Sequence, residues 1–370
     1  MIKRLYIHNF RCLENFELPI AGLPSCLLIG NNGSGKSTIG FALEILQKIA
    51  RGSNHVGDLV QKVDFGFSFP RGPMRFEIEL EIDQRTFEYH LALELSAGEN
   101  EPHVCDERLS CDGADIYWRD VTQLNIAKSG TTEETQAPVS LQLVALPLVP
   151  EYSESDPLRT FKNWLAKMLI LSPMPSRITG DASGAELTPN REVTNFGDWY
   201  TGLVGHSRSA KSQIENFIRQ VDEDFLDINS VSTGEGRQSL YARFKKQAMG
   251  IELNFASLSD GEKCFFIGAL VLASNTAFGP LLCFWDEPDN FVSPSEVGYL
   301  VMALRREFEN HGGQLIITSH NPEAIRQFPY EKTLFFFRKS HVEPTEVHPI
   351  SELEVYGDLV GALIRNDVEP

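Results

Sequence analysis

Between residues 30 and 38 the chain reads GNNGSGKST, and the types and spacing there suit one kind of chemistry. Gly30, Gly35, Lys36 and Ser37 meet the GxxxxGK[ST] pattern of a loop that wraps phosphate groups. Asn31, Asn32, Gly33 and Ser34 fill the turn between them, where the backbone must curl so that successive N–H groups point inward. Lys36 is suited to reach the β- and γ-phosphates of a nucleoside triphosphate, and the Ser37 hydroxyl to ligate Mg²⁺, with Thr38 next in line. A helix behind such a loop adds the positive end of its dipole.

A second set of reactive types comes much later, in LLCFWDEPDN. An apolar run buried on both faces marks a central strand, and ligands gather at the carboxyl ends of such strands. Asp286, at the strand's end, is placed to hold Mg²⁺ through water beside Ser37. Glu287, one residue on, points elsewhere and suits the removal of a proton from an attacking water.

A third stretch, LSDGE (residues 258–262), opens a helix. Ser259 reads as its N-cap and Glu262, three residues on, closes a capping box. That account leaves Gly261 unexplained, because glycine is costly in a first turn. A helix N-terminus with a serine hydroxyl and a bare glycine N–H is an anion site.

These groups need elements to hold them. Residues 2–7 alternate as a strand, 26–29 form a buried strand, and Ile39, Leu43, Leu46 and Ile49 share a helical face after the glycine loop. Residues 74–95 alternate strictly and break near DQR, which predicts a hairpin. Residues 128–138 are polar and read as a loop. From 156 to about 228 the pattern turns mainly helical, and strand character returns at 239–255. A helix at 260–273, the strand LLCFW, a helix at 294–310 and the strand QLIITSH complete the order. Strand, glycine loop, helix, then apolar strands alternating with helices predict an α/β fold with a parallel or mixed central sheet. The expected organisation is 1–155, 156–228 as a helical insertion, and 229–370.

Composition narrows the classes. With 370 residues, 42% apolar and 23% charged, the chain is long enough for a full core. The longest apolar run, residues 264–273, is about half a membrane span, and the N-terminal stretch lacks an apolar signal region, so a cytoplasmic protein without a membrane partner is expected. Fifty-one acidic against 33 basic residues give a net charge of −18. Nucleic acid would then need a local basic patch, for which residues 243–247 and 208–211 are the candidates. No paired CxxC occurs among the six cysteines; Cys26, Cys264 and Cys283 lie in apolar runs and read as core residues.

The glycine loop, the Asp–Glu pair and LSDGE together resemble the ABC-type ATPase heads of the SMC/RecF/OLD-like branch. The resemblance covers about residues 1–60 and 240–325. It implies an ABC-type P-loop head with an antiparallel β lobe and a helical insertion, which binds ATP and Mg²⁺. In that family LSDGE is the signature that caps the γ-phosphate held by a second copy, so a homodimer with ATP sandwiched between subunits is implied. His320, 33 residues after Glu287, matches the histidine that contacts the γ-phosphate and the attacking water. Asp289 and Asn290 fall on the loop that crosses the dimer interface, although Ser293 stands where related chains often carry histidine. Arg11, after the N-F pair of IHNFRCLENFEL, matches a basic residue near the nucleotide. The family's glutamine falls at Gln61 or Gln142, with Gln142 preferred.

The resemblance is nearest to compact ATPases of anti-phage systems, of the Septu and retron-associated kind. No nuclease constellation follows His320, so a separately encoded nuclease or toxin is the expected effector, under the control of an ATP-driven dimerising switch. The competing function is a DNA-repair or DNA-binding clamp of the RecF or SMC kind. A transporter motor would have a shorter gap between glycine loop and signature, and a non-hydrolysing scaffold would not need Glu287.

Overall fold

Alternation of apolar and polar residues draws eight strands from the first 140 residues into one antiparallel sheet. In this computed structural model, residues 1–66, 72–95, 101–127, 134–234, 236–246, 249–353, 358–365 and 368 are described. The chain divides into two units: residues 1–23, 28–167 and 333–370 form the first, and residues 24–27 and 168–332 the second.

In the first unit, eight strands pair in the order Phe16–Glu17, Ile2–His8, Met74–Ile82, Arg85–Glu94, His103–Cys111, Ala114–Asp120, Gln123–Ala127, Glu134–Pro138. The hairpin at 74–95 forms as the alternation predicts. It turns at Asp83 and Gln84, both with positive φ, as a tight hairpin loop requires. The polar stretch 128–138 is partly a strand: Glu134–Pro138 pairs with Gln123–Ala127, and 128–133 lie outside the described residues. Its polar side chains fit an exposed edge strand, which a search for apolar alternation passes over. The helix Lys36–Ala50 buries Ile39, Leu43, Leu46 and Ile49, as its spacing predicts, and packs against Pro157–Ala166. A short antiparallel pair, Thr333–Phe337 with Glu346–Pro349, also belongs to this unit.

The second unit holds a parallel core in which Leu169–Leu171, Leu282–Asp286 and Gln314–Thr318 pair side by side. All three are apolar runs buried on both faces, as covered parallel strands are. The start of Ser25–Gly30 joins them, with Leu315 N donating to the Pro24 carbonyl at 2.9 Å. Helix Asp260–Phe278 is apolar nearly all round, and it packs against Ala210–Val221, Phe196–His206 and Pro294–His311. The segment 156–228, expected to be mainly helical, has helices Pro157–Ala166, Phe196–His206 and Ala210–Val221, but also the strand Leu169–Leu171 and the start of Phe225–Gly234. A three-residue strand is too short to set a period of its own. Phe225–Gly234, Arg237–Lys246 and Met249–Asn254 form an antiparallel sheet, with Asp181–Ala182 at its edge.

Candidate functional site

The phosphate loop is delivered by the fully buried strand Ser25–Gly30 and leads into helix Lys36–Ala50, with Gly35 in the left-handed region at φ 102° as the helix N-cap. Lys36 Nζ donates to the carbonyls of Gly30 at 2.8 Å and Asn31 at 3.1 Å, so its ammonium lies across the loop. The Ser34 hydroxyl is buried without a hydrogen-bond partner in the protein, a cost that an oxygen-bearing ligand in the loop would remove. Arg11 pairs with Asp64 at 2.9 Å and stacks its guanidinium 4.0 Å from the ring centre of Phe41, on the helix that follows the loop. Gln142 accepts from the Ser140 hydroxyl at 2.6 Å, while Gln61 donates to the Gly57 carbonyl. The segment carrying Gln142 is pinned from beneath. Buried Glu107 accepts from the Tyr117 hydroxyl and from the backbone N–H of Ala145 and Leu146, and Arg119 donates to the carbonyls of Ser140 and Leu143. Burial pushes the Glu107 carboxyl up, against the pull of those donors.

In the second unit, parallel pairing sets Asp286 opposite Thr318. The Thr318 hydroxyl donates to Asp286 Oδ1 at 2.7 Å and accepts from the Glu287 N–H at 2.9 Å, so one buried side chain orients both acids. Glu287 has φ 51°, an uncommon conformation for a residue with a side chain, and it turns the chain sharply at the strand's end. His320 Nε2 lies 3.7 Å from Glu287 Oε1, and the Asn290 amide donates to Glu287 Oε2 at 2.6 Å. Arg191 reaches to 3.9 Å from Asp286 Oδ2. Asp289 turns inward. It is nine-tenths buried against Ser319, and burial raises its carboxyl above the usual range despite that hydrogen bond. Of the residues read from sequence, Asp286, Glu287, Asn290 and His320 come together here, while Thr318 and Arg191 were missed.

The capping box at the signature helix forms as expected: Ser259 Oγ accepts from the Glu262 N–H at 3.2 Å, and Glu262 Oε2 accepts from the Ser259 N–H at 2.7 Å. Ser259 is exposed, and its hydroxyl still has a hydrogen to donate. Gly261 has a reason inside its own chain. A Cβ there would lie 3.0 Å from the carbonyl oxygen of Phe291, so the loop after Glu287 passes directly over the glycine. Buried Lys263 donates to the carbonyls of Pro175 and Ala256 and braces the helix start from below. Phe266, one turn on, meets Phe225 and Phe255 edge-on.

The two candidate basic patches are largely matched by nearby acceptors. Arg243 pairs with Asp227, Lys245 donates to the Glu223 carbonyl, and Lys211 lies 3.0 Å from Asn229 Oδ1 and 3.7 Å from Glu215; Gln247 lies outside the described residues. All six cysteines are free thiols. Among the described residues no helix is long and apolar enough to cross a membrane.

Residues 1–95 match the family "AAA ATPase domain", and residues 203–326 match "AAA domain, putative AbiEii toxin, Type IV TA system". These matches make the chain similar to ATPase heads of the ABC type, the SMC/RecF/OLD-like branch among them. An OLD nuclease of Thermus scotoductus (strain ATCC 700910 / SA-01) is 24% identical over 348 aligned residues; the match covers 87% of this chain and 59% of the relative, so the chain spans little more than half of that protein. An SMC head bound to the C-winged helix domain of ScpA has a TM-score of 0.55 at 14% identity, over 94% of this chain and 97% of the other. An Smc head domain with an extended coiled coil, bound to the C-terminal domain of ScpA and derived from Pyrococcus furiosus, has a TM-score of 0.51 at 12% identity, over 99% and 98% of the two chains. The shared fold of the ATPase head is therefore α/β with parallel and antiparallel strands.

The Ser37 hydroxyl in the first unit and the Asp286 carboxylate in the second are each a hard oxygen donor of the kind Mg²⁺ prefers. Among the described residues no three His, Cys, Asp or Glu side chains cluster as a metal site. Mg²⁺ at a nucleotide needs no such cluster, because phosphates and water complete its shell.

Proposed function

We propose that this chain is an ATP-dependent dimerising switch that controls a separately encoded nuclease or toxin in defence against phage. The phosphate loop holds the triphosphate through Lys36 and inward-facing backbone N–H groups of the loop. Mg²⁺, held by Ser37 and Asp286, would neutralise charge at the phosphates. Glu287, fixed by Asn290 on one oxygen, takes the proton of the attacking water on the other, and His320 beside it orients that water. Ser259 and Gly261 serve the γ-phosphate of a second copy. Triphosphate therefore joins two molecules, and hydrolysis releases them.

One contact supports the switch more than any other: the Phe291 carbonyl lies over Gly261. It links the exposed Ser259 hydroxyl to the loop that carries Asn290, and Asn290 in turn holds Glu287. Phe291 itself is 46% exposed, an apolar ring at a corner where a second copy would cover it. A second molecule's phosphate docking on Ser259 would thus press on the loop that sets this molecule's own proton acceptor. The OLD nuclease relative and the toxin named in the second matching family support a nuclease or toxin as the effector.

Light scattering of Glu287→Gln with ATP and Mg²⁺ tests the dimer. A stable dimer is expected, reversed by adding Ser259→Arg, and a monomer under saturating ATP refutes it. Co-purification with neighbouring gene products tests the effector. Retention of DNA on filters only with ATP, with no protein partner, would favour the DNA-repair clamp.

A further inference from the structure

The segment 338–345, between strands Thr333–Phe337 and Glu346–Pro349, hydrogen-bonds to the phosphate loop more than 300 residues away in sequence. The Thr345 hydroxyl, almost wholly buried, donates to the Ser34 carbonyl at 2.8 Å, and the Thr345 N–H donates to the Cys12 carbonyl at 2.9 Å. Arg338 Nη1 reaches the Gly33 carbonyl at 3.4 Å, while its Nε and Nη2 hold the carbonyls of Glu343 and His341 and keep the segment folded on itself. Gly35 completes the fit: a Cβ there would come within 2.7 Å of Thr345 Oγ1 and 2.9 Å of Cys12 Sγ.

The direction of these bonds matters. In a trans peptide the C=O and N–H point opposite ways. The Ser34 carbonyl and the Gly35 N–H belong to one peptide plane, so a donor that holds the oxygen against Thr345 aims the N–H away from Thr345. Phosphate loops bind anions through such N–H groups, and a flipped plane would present a carbonyl lone pair to the phosphate instead. Glycine on one side of this plane, with φ 102°, leaves it little intrinsic barrier to flipping.

We propose that Thr345 and Arg338 are positioning residues for nucleotide binding: Thr345 locks the Ser34–Gly35 peptide plane in the anion-ready orientation before ATP arrives, and Arg338 steadies the turn before it, where the Ser34 N–H donates to the Asn31 carbonyl at 3.2 Å. The assignment rests on the ATP-binding function proposed above. The test is titration with fluorescent ADP and ATP analogues, together with hydrogen exchange of residues 33–36 in nucleotide-free protein. Thr345→Val, which keeps the shape and removes the donor, should weaken both nucleotides about tenfold and speed exchange at Ser34, whose N–H is bonded to the Asn31 carbonyl in the braced loop. Thr345→Ser, which keeps the donor, should stay within about twofold of wild type, and Arg338→Met should lose about twofold to threefold. Unchanged affinity and exchange in Thr345→Val, or equal losses in Thr345→Ser and Thr345→Val, overturns the proposal. Should Thr345→Val fail to fold, Arg338→Met decides, with unchanged affinity and exchange again refuting it. Wild-type protein that binds neither nucleotide refutes the ATP-binding function itself, and the exchange rates alone then decide whether the strap holds the loop.

Discussion

The phosphate loop and the carboxylate corner both lie at strand ends, yet different kinds of atoms fix them. In the loop the pinned groups are backbone carbonyls, of Gly30, Asn31, Gly33 and Ser34, held by Lys36, Arg338 and Thr345. In the corner the pinned groups are side-chain carboxylates, of Asp286 and Glu287, held by Thr318, Asn290 and His320. A backbone carbonyl cannot turn without the chain that carries it, so the pinned loop has few alternative states. Glu287 and Asn290 have rotatable side chains and can exchange partners when a ligand or a second subunit arrives. The difference suits binding to the loop and timing to the corner.

The widest separation of the two roles should come from Glu287→Gln. It should cut turnover by about 10²–10⁴-fold while ATP still binds, read by single-turnover hydrolysis beside equilibrium binding. Loss of binding in this variant would erase the distinction. Thr318→Val comes next. Removing the hydroxyl that serves both acids should lower kcat about tenfold to a hundredfold and leave the nucleotide Kd within about twofold. A change confined to Kd would assign Thr318 to binding after all.

Glu309 tests the anchorage of the strand that leads to the loop, since it accepts from the Ser25 hydroxyl at 2.9 Å as well as from Lys332 and Arg305. Burial pushes its carboxyl up, but those three donors outweigh burial and bring it down to about 2. A depressed carboxylate stabilises the fold above its unfolded value and loses that contribution as pH falls through the folded one. Glu309→Gln should therefore cost about 1–2 kcal/mol at neutral pH, allowing for a carboxylate one-quarter exposed, and the gap to wild type in urea melts should close between about pH 4.5 and pH 2. The smallest effect belongs to Arg191, a cation 3.9 Å from Asp286. Arg191→Gln removes a competitor for that carboxylate, and the Mg²⁺ needed for half-maximal nucleotide affinity should fall about twofold to threefold. A rise would mean that Arg191 serves the phosphates directly.

What was legible in the sequence was local. The glycine loop, the buried strand before it and the amphipathic helix after it lie within about 25 consecutive residues, and Ser259 with Glu262 closes its box over four. Asp286 and Glu287 were readable because an apolar run stops at them. Thr318 was not, because its role comes from parallel register with Asp286, 32 residues away, and a threonine at a strand end carries no mark of its own. Gly261 was readable as an anomaly but not in its cause, since the Phe291 carbonyl that crowds it lies outside the helix. The strands at 103–127 carried a usable signal: Asp112-Gly113 between two alternating runs is a hairpin turn, and both residues have positive φ.

The long reach of Thr345 also has a consequence for how the protein is made. A ribosome delivers the glycine loop first, and Thr345 emerges only 311 residues after Ser34. Until then the nascent loop lacks the brace proposed for it, so a chain cut short before Thr345 should grip ATP poorly. Competence would arrive only once Thr345 has been made, as a built-in check that the chain has been read through at least that far.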